Sequence, residues 1–495
     1  MAHRGQGPIG IEAPERPSFP AEKKTKGIAG SFSNLFAMTR PAFSQGRTFE
    51  KARQLAFSAI AGLGRRTVSG MLCAGAMQFG DWSGAYRLFE RERIDRHALF
   101  APIMQEVLAG LSPDEPLVLM MDDTLVRKRG KKVHGTGWKR DPLGPPFHTN
   151  FVWGQRFLQI SVALPDKVCS GRARGIPIDF IHAPSASKPK RNAPETEWED
   201  YRKRQEAMKV STVASVCLKG LSEQTGDRNI ICAVDGGFTN RTVFRDIPEN
   251  VTLIGRIRKD AKLFSVPDTE MASSRGRQRM YGDRLPTPEQ WRQDGSIDWI
   301  AVEAFGAGKR HQFDVKVMPA VRWVGTGNQT VQVVVVRPLA YRPRKGARLM
   351  YREPAYLLCT DPDMPLDKLL QAYLWRWEIE LNFRDEKTVL GAGEAQVRTP
   401  SAVESVPAFI VASYAYLLLA GERNNNAGAL RRPKWHPPKP TERWTTQQMQ
   451  GLFRAELWRL GAESNKNGFV YNMPKTRTPF YSENALHSAV CYAYK

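Results

Sequence analysis

Two apolar runs that end on carboxylates constrain this chain more than any other feature. Pro116-Leu-Val-Leu-Met-Met121 is apolar throughout and stops at Asp122-Asp123-Thr124. Asn229-Ile-Ile-Cys-Ala-Val234 repeats the pattern and stops at Asp235, with Gly236 and Gly237 behind it. A continuous apolar run, as opposed to an alternating one, predicts a strand buried on both faces. Such strands need layers on either side of their sheet. A carboxylate carried off the end of a buried strand is costly unless it is paired or bound to a metal. Between the two runs, Phe151–Leu164 (FVWGQRFLQISVAL) reads as a strand pair with Gly154 near the turn, and Ile176–Pro184 as another strand. Glu195–Gln224 reads as one long amphipathic helix and Val251–Arg258 as a further strand. That order predicts an α/β sheet with mixed strand directions.

The chain has 495 residues, enough for two to four domains. Residues 1–45, rich in Gly, Pro, Ser and Lys, read as a flexible basic tail. Residues 46–113 read as a helical domain. There a helix, a Gly62-Leu63-Gly64 turn and a helix opening at Arg65 and Arg66 suit DNA binding. The α/β core occupies 114–261 and 351–425, with a β-rich module at 262–350 between its parts, and a basic tail with one helix fills 426–495. The net charge of +23, from 73 basic and 50 acidic residues, predicts a polyanionic partner. A membrane is not expected: the longest apolar run, Ala408–Ala420, is shorter than the roughly 18 residues a span needs and reads as a core helix. The N-terminus carries no signal-peptide pattern. Six cysteines without CxxC and eight histidines without HxxxH argue for a reducing cytoplasm and against structural zinc.

The segment from Leu366 to Leu390 opens with Asp363 and Pro365 and closes at Gly391, which predicts a helix. Within it lies YLWRWEIELNFRDEK, Tyr373–Lys387. At about 100° per residue, Tyr373, Arg376, Glu380 and Lys387 fall within roughly 60° of one another. Leu366, Leu370, Leu374, Trp377 and Leu381 lie beside that stripe, as the expected buried face. Asp122, Asp235 and Glu380 are hard oxygen ligands, suited to Mg²⁺ or Mn²⁺. On a basic protein the matching substrate is a phosphodiester, cut with the help of two ions about 3.5–4 Å apart. Arg376 and Lys387 would hold phosphates beside Glu380.

Tyr373, Arg376, Glu380 and Lys387, at spacings of two, three and six intervening residues, resemble the Tyr-Arg-Glu-Lys signature of bacterial insertion-sequence transposases. That family carries an Asp-Asp-Glu triad on a ribonuclease-H-like core. The resemblance covers about residues 50–425. It implies Asp122 or Asp123 (the Asp-x-Thr context), Asp235 and Glu380 as catalytic metal ligands, and a wide gap before Glu380 filled by a β-rich insertion. It further implies cleavage at transposon ends and strand transfer by a dimer or higher assembly on double-stranded DNA. Between the two first-ligand candidates, Asp122 is favoured because it comes straight off the buried run. Tyr373, Arg376, Lys387, Arg65, Arg66 and the basic run that includes Arg127, Lys128, Arg129, Lys131 and Lys132 are the expected phosphate contacts. Trp138, Trp153 and Trp323 are candidates for stacking on an extruded base. A non-catalytic DNA-binding regulator descended from a transposase, or a related nuclease that cuts without joining, fits the same residues.

Overall fold

The structure, a computed structural model, describes residues 27–141, 144, 150–267, 279–344, 346–424, 434–435, 443–464, 489 and 492. The described chain up to residue 109 is helical: α1 (Ile28–Ala37), a 3₁₀ turn at Arg40–Ala42, α2 (Gly46–Ala61), α3 (Val68–Ala74), α4 (Ser83–Glu90) and α5 (Arg96–Ala109). The helix starts follow their caps. The Thr67 hydroxyl accepts from the Gly70 amide at 3.0 Å, and the Asp95 carboxylate from the Ala98 amide at 3.1 Å. The α1 segment was expected to be tail. It is instead core, because Ile28, Phe32, Leu35 and Phe36 share one helical face and are all buried.

The core sheet starts with β1 (Leu117–Arg127), β2 (Gly137–Arg140), β3 (Phe151–Pro165) and β4 (Ala173–His182). Helices α6 (Glu195–Ala207) and α7 (Val210–Thr225) lead to β5 (Ile230–Val234), the short α8 (Arg241–Phe244) and β6 (Val251–Arg256). The single helix expected over 195–224 is broken at Met208-Lys209, and α6 buries none of its residues. The expected strand pair at 151–164 is one strand. Gly154 marks no turn there: a Cβ on it would lie 2.5 Å from the Val126 carbonyl oxygen, so glycine permits the close approach of β1. Strands β4, β3 and β1 pair antiparallel, and β1, β5 and β6 pair parallel. This is the expected ribonuclease-H-like mixed sheet flanked by helices.

Beyond β6 come β7 (Leu263–Ser265), α9 (Pro288–Gln293), β8 (Ile300–Gly306), β9 (Lys309–Trp323), a 3₁₀ turn, β10 (Thr330–Val336), the small hairpin β11 (Ala340–Tyr341) and β12 (Met350–Tyr351), and β13 (Ala355–Cys359). The inserted region was expected as a separate β-rich module. Its long strands instead continue the core sheet, through β13 on β6, β10 on β13 and β9 on β10. Val331, Val333, Val334 and Val335 of β10 are fully buried, so this edge extends the hydrophobic core.

The chain ends with α10 (Leu366–Trp375), α11 (Trp377–Thr388), α12 (Pro400–Asn424) and α13 (Thr446–Ser464). One face of the sheet, with Leu117, Leu119 and Met121, packs on the N-terminal helices and α12. The opposite face, with Val118 and Met120, packs on α10 and α11. α12 is apolar and long enough to cross a membrane by length and composition, but 89% of its apolar window is buried within the fold. This matches the core helix expected at 408–420. The proline-broken stretch before α13 and the end after it lie largely outside the described residues.

Candidate active site

In β1, alternate side chains face opposite sides of the sheet. Asp122 follows the parity of Val118 and Met120 and so faces α11; Asp123 faces the other way. The strand does not end at the aspartates, as the sequence suggested, but runs on to Arg127. It is β5 that stops, at Val234, in register with Met121. Asp235 is therefore level with Asp122, on the neighbouring strand and the same face. The carboxylate of Asp235 is fixed by its own turn: Oδ1 accepts from the Gly237 amide at 2.8 Å and the Phe238 amide at 3.1 Å.

The third carboxylate comes from across the cleft. The expected continuous helix is interrupted at Arg376, where the Ile379 amide reaches back only three residues, to the Arg376 carbonyl. The interruption changes which side of the helix is buried. On α11 the buried residues are Ile379, Asn382, Phe383, Asp385 and Glu386, whereas Trp377, expected in the core, is exposed. Glu380 thereby comes to the cleft, with its side chain 42% exposed. Arg376 lies between the two walls, 3.3 Å from Asp122 Oδ2 and 3.7 Å from Glu380 Oε1. Its guanidinium also lies 5.8 Å from the centre of the Tyr373 ring.

The electrostatics follow from burial. Burial raises the Asp122 pKa to about 7, and the like charge of Asp235 adds to this, while Arg376 opposes it. Asp123 is also raised by burial, but Arg156, at 3.1 Å, is its counterion. Lys387 is drawn below the ordinary lysine value by desolvation, with Glu386, Glu380 and Asp123 acting in the opposite sense. Beneath the site Glu386 is buried, and its pKa is pushed up to about 8. Gln159, opposite Asp122 in the β1–β3 register, opposes that rise, and its amide donates to the Ser161 hydroxyl at 3.1 Å. Sequence reasoning missed Arg156, Gln159 and Glu386. Their signal was polar residues inside an otherwise apolar strand and helix face.

Asp122, Asp123, Asp235, Glu380 and Lys387 line one cleft of about 2490 Å³. Arg65, Arg127, Arg129 and Arg140 line it too, as does Trp138, which sits edge-on to Trp153 at 5.5 Å. Lys128 and Arg66 also border the cleft, but their charged ends turn inward to backbone carbonyls. Lys128 is buried, donates to the carbonyls of Gly393 (2.9 Å) and Ala395 (2.6 Å), and has its pKa lowered by burial to about 8. Arg66 is buried as well, with its Nε donating to the Ala59 carbonyl at 3.0 Å. Lys131 and Lys132 are exposed on a turn outside the cleft lining. Trp323 packs edge-on against Phe244.

The family model for DDE superfamily endonucleases matches residues 40–305, more than half of the chain. The chain belongs to this family. The match takes in Asp122 and Asp235 and ends before the helix that carries Glu380. No curated protein matches the chain. DDE superfamily endonucleases generally use divalent metal ions. The donor set here fits such an ion in kind: all oxygen, with two like charges side by side on the central strands β1 and β5. Among the described residues, however, no three such side chains are grouped tightly enough to hold an ion as they stand. Arg376 supplies the positive charge between Asp122 and Glu380 instead.

Proposed function

We propose that this DDE endonuclease is a transposase of insertion-sequence type. On this reading it cuts DNA at the ends of a mobile element and joins them to a target, with Asp122, Asp235 and Glu380 as the ligands of one or two Mg²⁺ or Mn²⁺ ions. The observation that carries the reading is the level pair Asp122–Asp235 on adjoining central strands, with Glu380 opposite them in a cleft lined with arginines and Arg376 between Asp122 and Glu380. Bound metal would supply activation of the attacking oxygen and stabilisation of the leaving one. The rest falls to the chain. Asp122 and Asp235 hold their positions by strand register and turn hydrogen bonds. With a metal bound, Glu380 would leave Arg376 to join the donor set, and the guanidinium would be free for a phosphate oxygen. Lys387 and Arg127 neutralise flanking phosphates, and Arg65 extends that basic wall along the cleft.

A second reading, a DNA-binding derivative without catalysis, draws support from the Arg376–Glu380 contact and from the absence of a preformed three-carboxylate group among the described residues. One assay separates the two. Purified protein is incubated in Mg²⁺ with duplexes carrying the inverted-repeat ends that flank its gene and with a supercoiled target. The proposal expects nicked ends and joined products, both lost in Glu380→Gln while gel-shift affinity and melting temperature hold. Cleavage without joined products assigns a nuclease. Binding without either product assigns the derivative.

A further inference from the structure

We propose that the β11–β12 hairpin is a second contact for duplex DNA, gripping phosphates outside the catalytic cleft; this rests on the DNA-cleaving reading above. From Arg337 to Arg352 the sequence has no acidic residue. The two strands form a sheet of their own, apart from the core sheet, and an isolated two-stranded hairpin is marginal on its own. Two arginines are used to build it. Arg352 lies 5.0 Å from the Tyr341 ring centre, and Arg342 Nη1 donates to the Ala347 carbonyl at 2.7 Å, beside Gly346 at φ +80°. Arg344 and Arg348 are exposed and make no side-chain hydrogen bond or ion pair among the described residues. Leu349, Met350 and Tyr351 are exposed alongside them.

The sheet register places this hairpin relative to the carboxylates. Val234 is level with Gly255, Gly255 with Leu358, and Leu358 with Val333. β10 therefore lies three strands from β5, a lateral distance of about 14 Å. It is antiparallel to β13, which is antiparallel to β6, so β10 runs in the same direction as β5. Its last residue, Val336, lies three residues past the Val234 level, or about 10 Å further along. The hairpin thus leaves β10 at the same end of the sheet as Asp235 and Asp122, with its root, by strand spacing alone, roughly 16 Å from the level of the first and about 20 Å from that of the second. Along a duplex that is about five base pairs from the reacting phosphate. A two-stranded ribbon also matches the width of a major groove. Arginine on phosphate positions the duplex without reading its sequence.

The test is a salt titration of duplex binding by fluorescence anisotropy, using the full chain and the Arg344→Glu/Arg348→Glu variant. Arg344→Ala/Arg348→Ala and a thermal melt control for folding. The proposal expects unchanged melting, affinity at 0.1 M salt about tenfold or more weaker, and a log–log salt slope shallower by about 1–2. An unchanged slope and affinity overturns it. An unchanged slope with dissociation of an oligomer assigns the hairpin to a second copy of the chain, and overturns it too. Metal-dependent cleavage at saturating DNA is read in parallel. If cleavage persists but the hairpin makes no difference, only this inference fails. If hairpin-dependent binding persists but the wild type never cleaves, only the catalytic reading fails. A wild type that binds no duplex ends both.

Discussion

Asp122 is held under opposing demands. Burial and Asp235 favour its proton-bound form, with a pKa near 7, while Arg376 favours the anion. Because the folded pKa is raised, the stabilising contribution is fully present below the unfolded value near 4 and is lost as pH rises through about 7. Metal-free protein should therefore lose stability over that window. Asp122→Asn should flatten this loss and raise the melting temperature at pH 8 by about 2–5 °C, while abolishing cleavage. A variant that melts lower than wild type at pH 8 without metal would show that the aspartate anion stabilises the fold. Lys128 tests the opposite kind of residue. Lys128→Ala should cost about 2–4 kcal/mol by leaving the Gly393 and Ala395 carbonyls unpaired, with no change in the salt slope of DNA binding. An unchanged melt with a shallower slope would return Lys128 to the phosphate contacts. At this scale the aspartates were legible because an acid ending an apolar run is conspicuous. The burial of Lys128 was not, since a basic run looks the same whether its lysines face solvent or carbonyls.

Strand and helix positions were legible where one pattern dominated. β1 and β5 were plain from their uninterrupted apolar runs, and α12 from its continuous apolar core. The helix carrying Glu380 was found, and so was the buried side of its first half, where Leu370 is buried and Leu366 and Leu374 pack against the same cluster; past Arg376 the buried side was not. A uniform 100° per residue cannot anticipate the interruption at Arg376, which puts Ile379 and Phe383 inward and leaves Trp377 outside. Gly154 was misread for a related reason: glycine signals both turns and close approaches, and only the β1 neighbour distinguishes them. Gly154→Val should force β1 and β3 apart at Val126, costing about 2 kcal/mol or more and weakening the Asp123 end of the site. Chemical denaturation reads the cost. Wild-type stability in that variant would mean that the strands separate there without strain.

At the scale of the whole molecule, the mixed α/β sheet and its flanking helices followed from element order. That the inserted strands continue the same sheet did not, because strand pairing across an insertion leaves no mark in local periodicity. The same sheet runs β10 in the direction of β5 and packs β8 on α10, where Gln371 bonds both backbone groups of Phe305, at 2.9 and 3.1 Å. The inserted strands are therefore joined to α10, the helix that leads into the Glu380-bearing α11. The central claim is that this fold brings Asp122, Asp235 and Glu380 to a shared cation. Mn²⁺ binding, followed by electron paramagnetic resonance at pH 7.5, tests it directly in wild type, Asp122→Asn, Asp235→Asn and Glu380→Gln. The account predicts saturable binding in the wild type, weakened about tenfold or more by each single replacement with folding intact. Wild-type Mn²⁺ affinity in Glu380→Gln would contradict it.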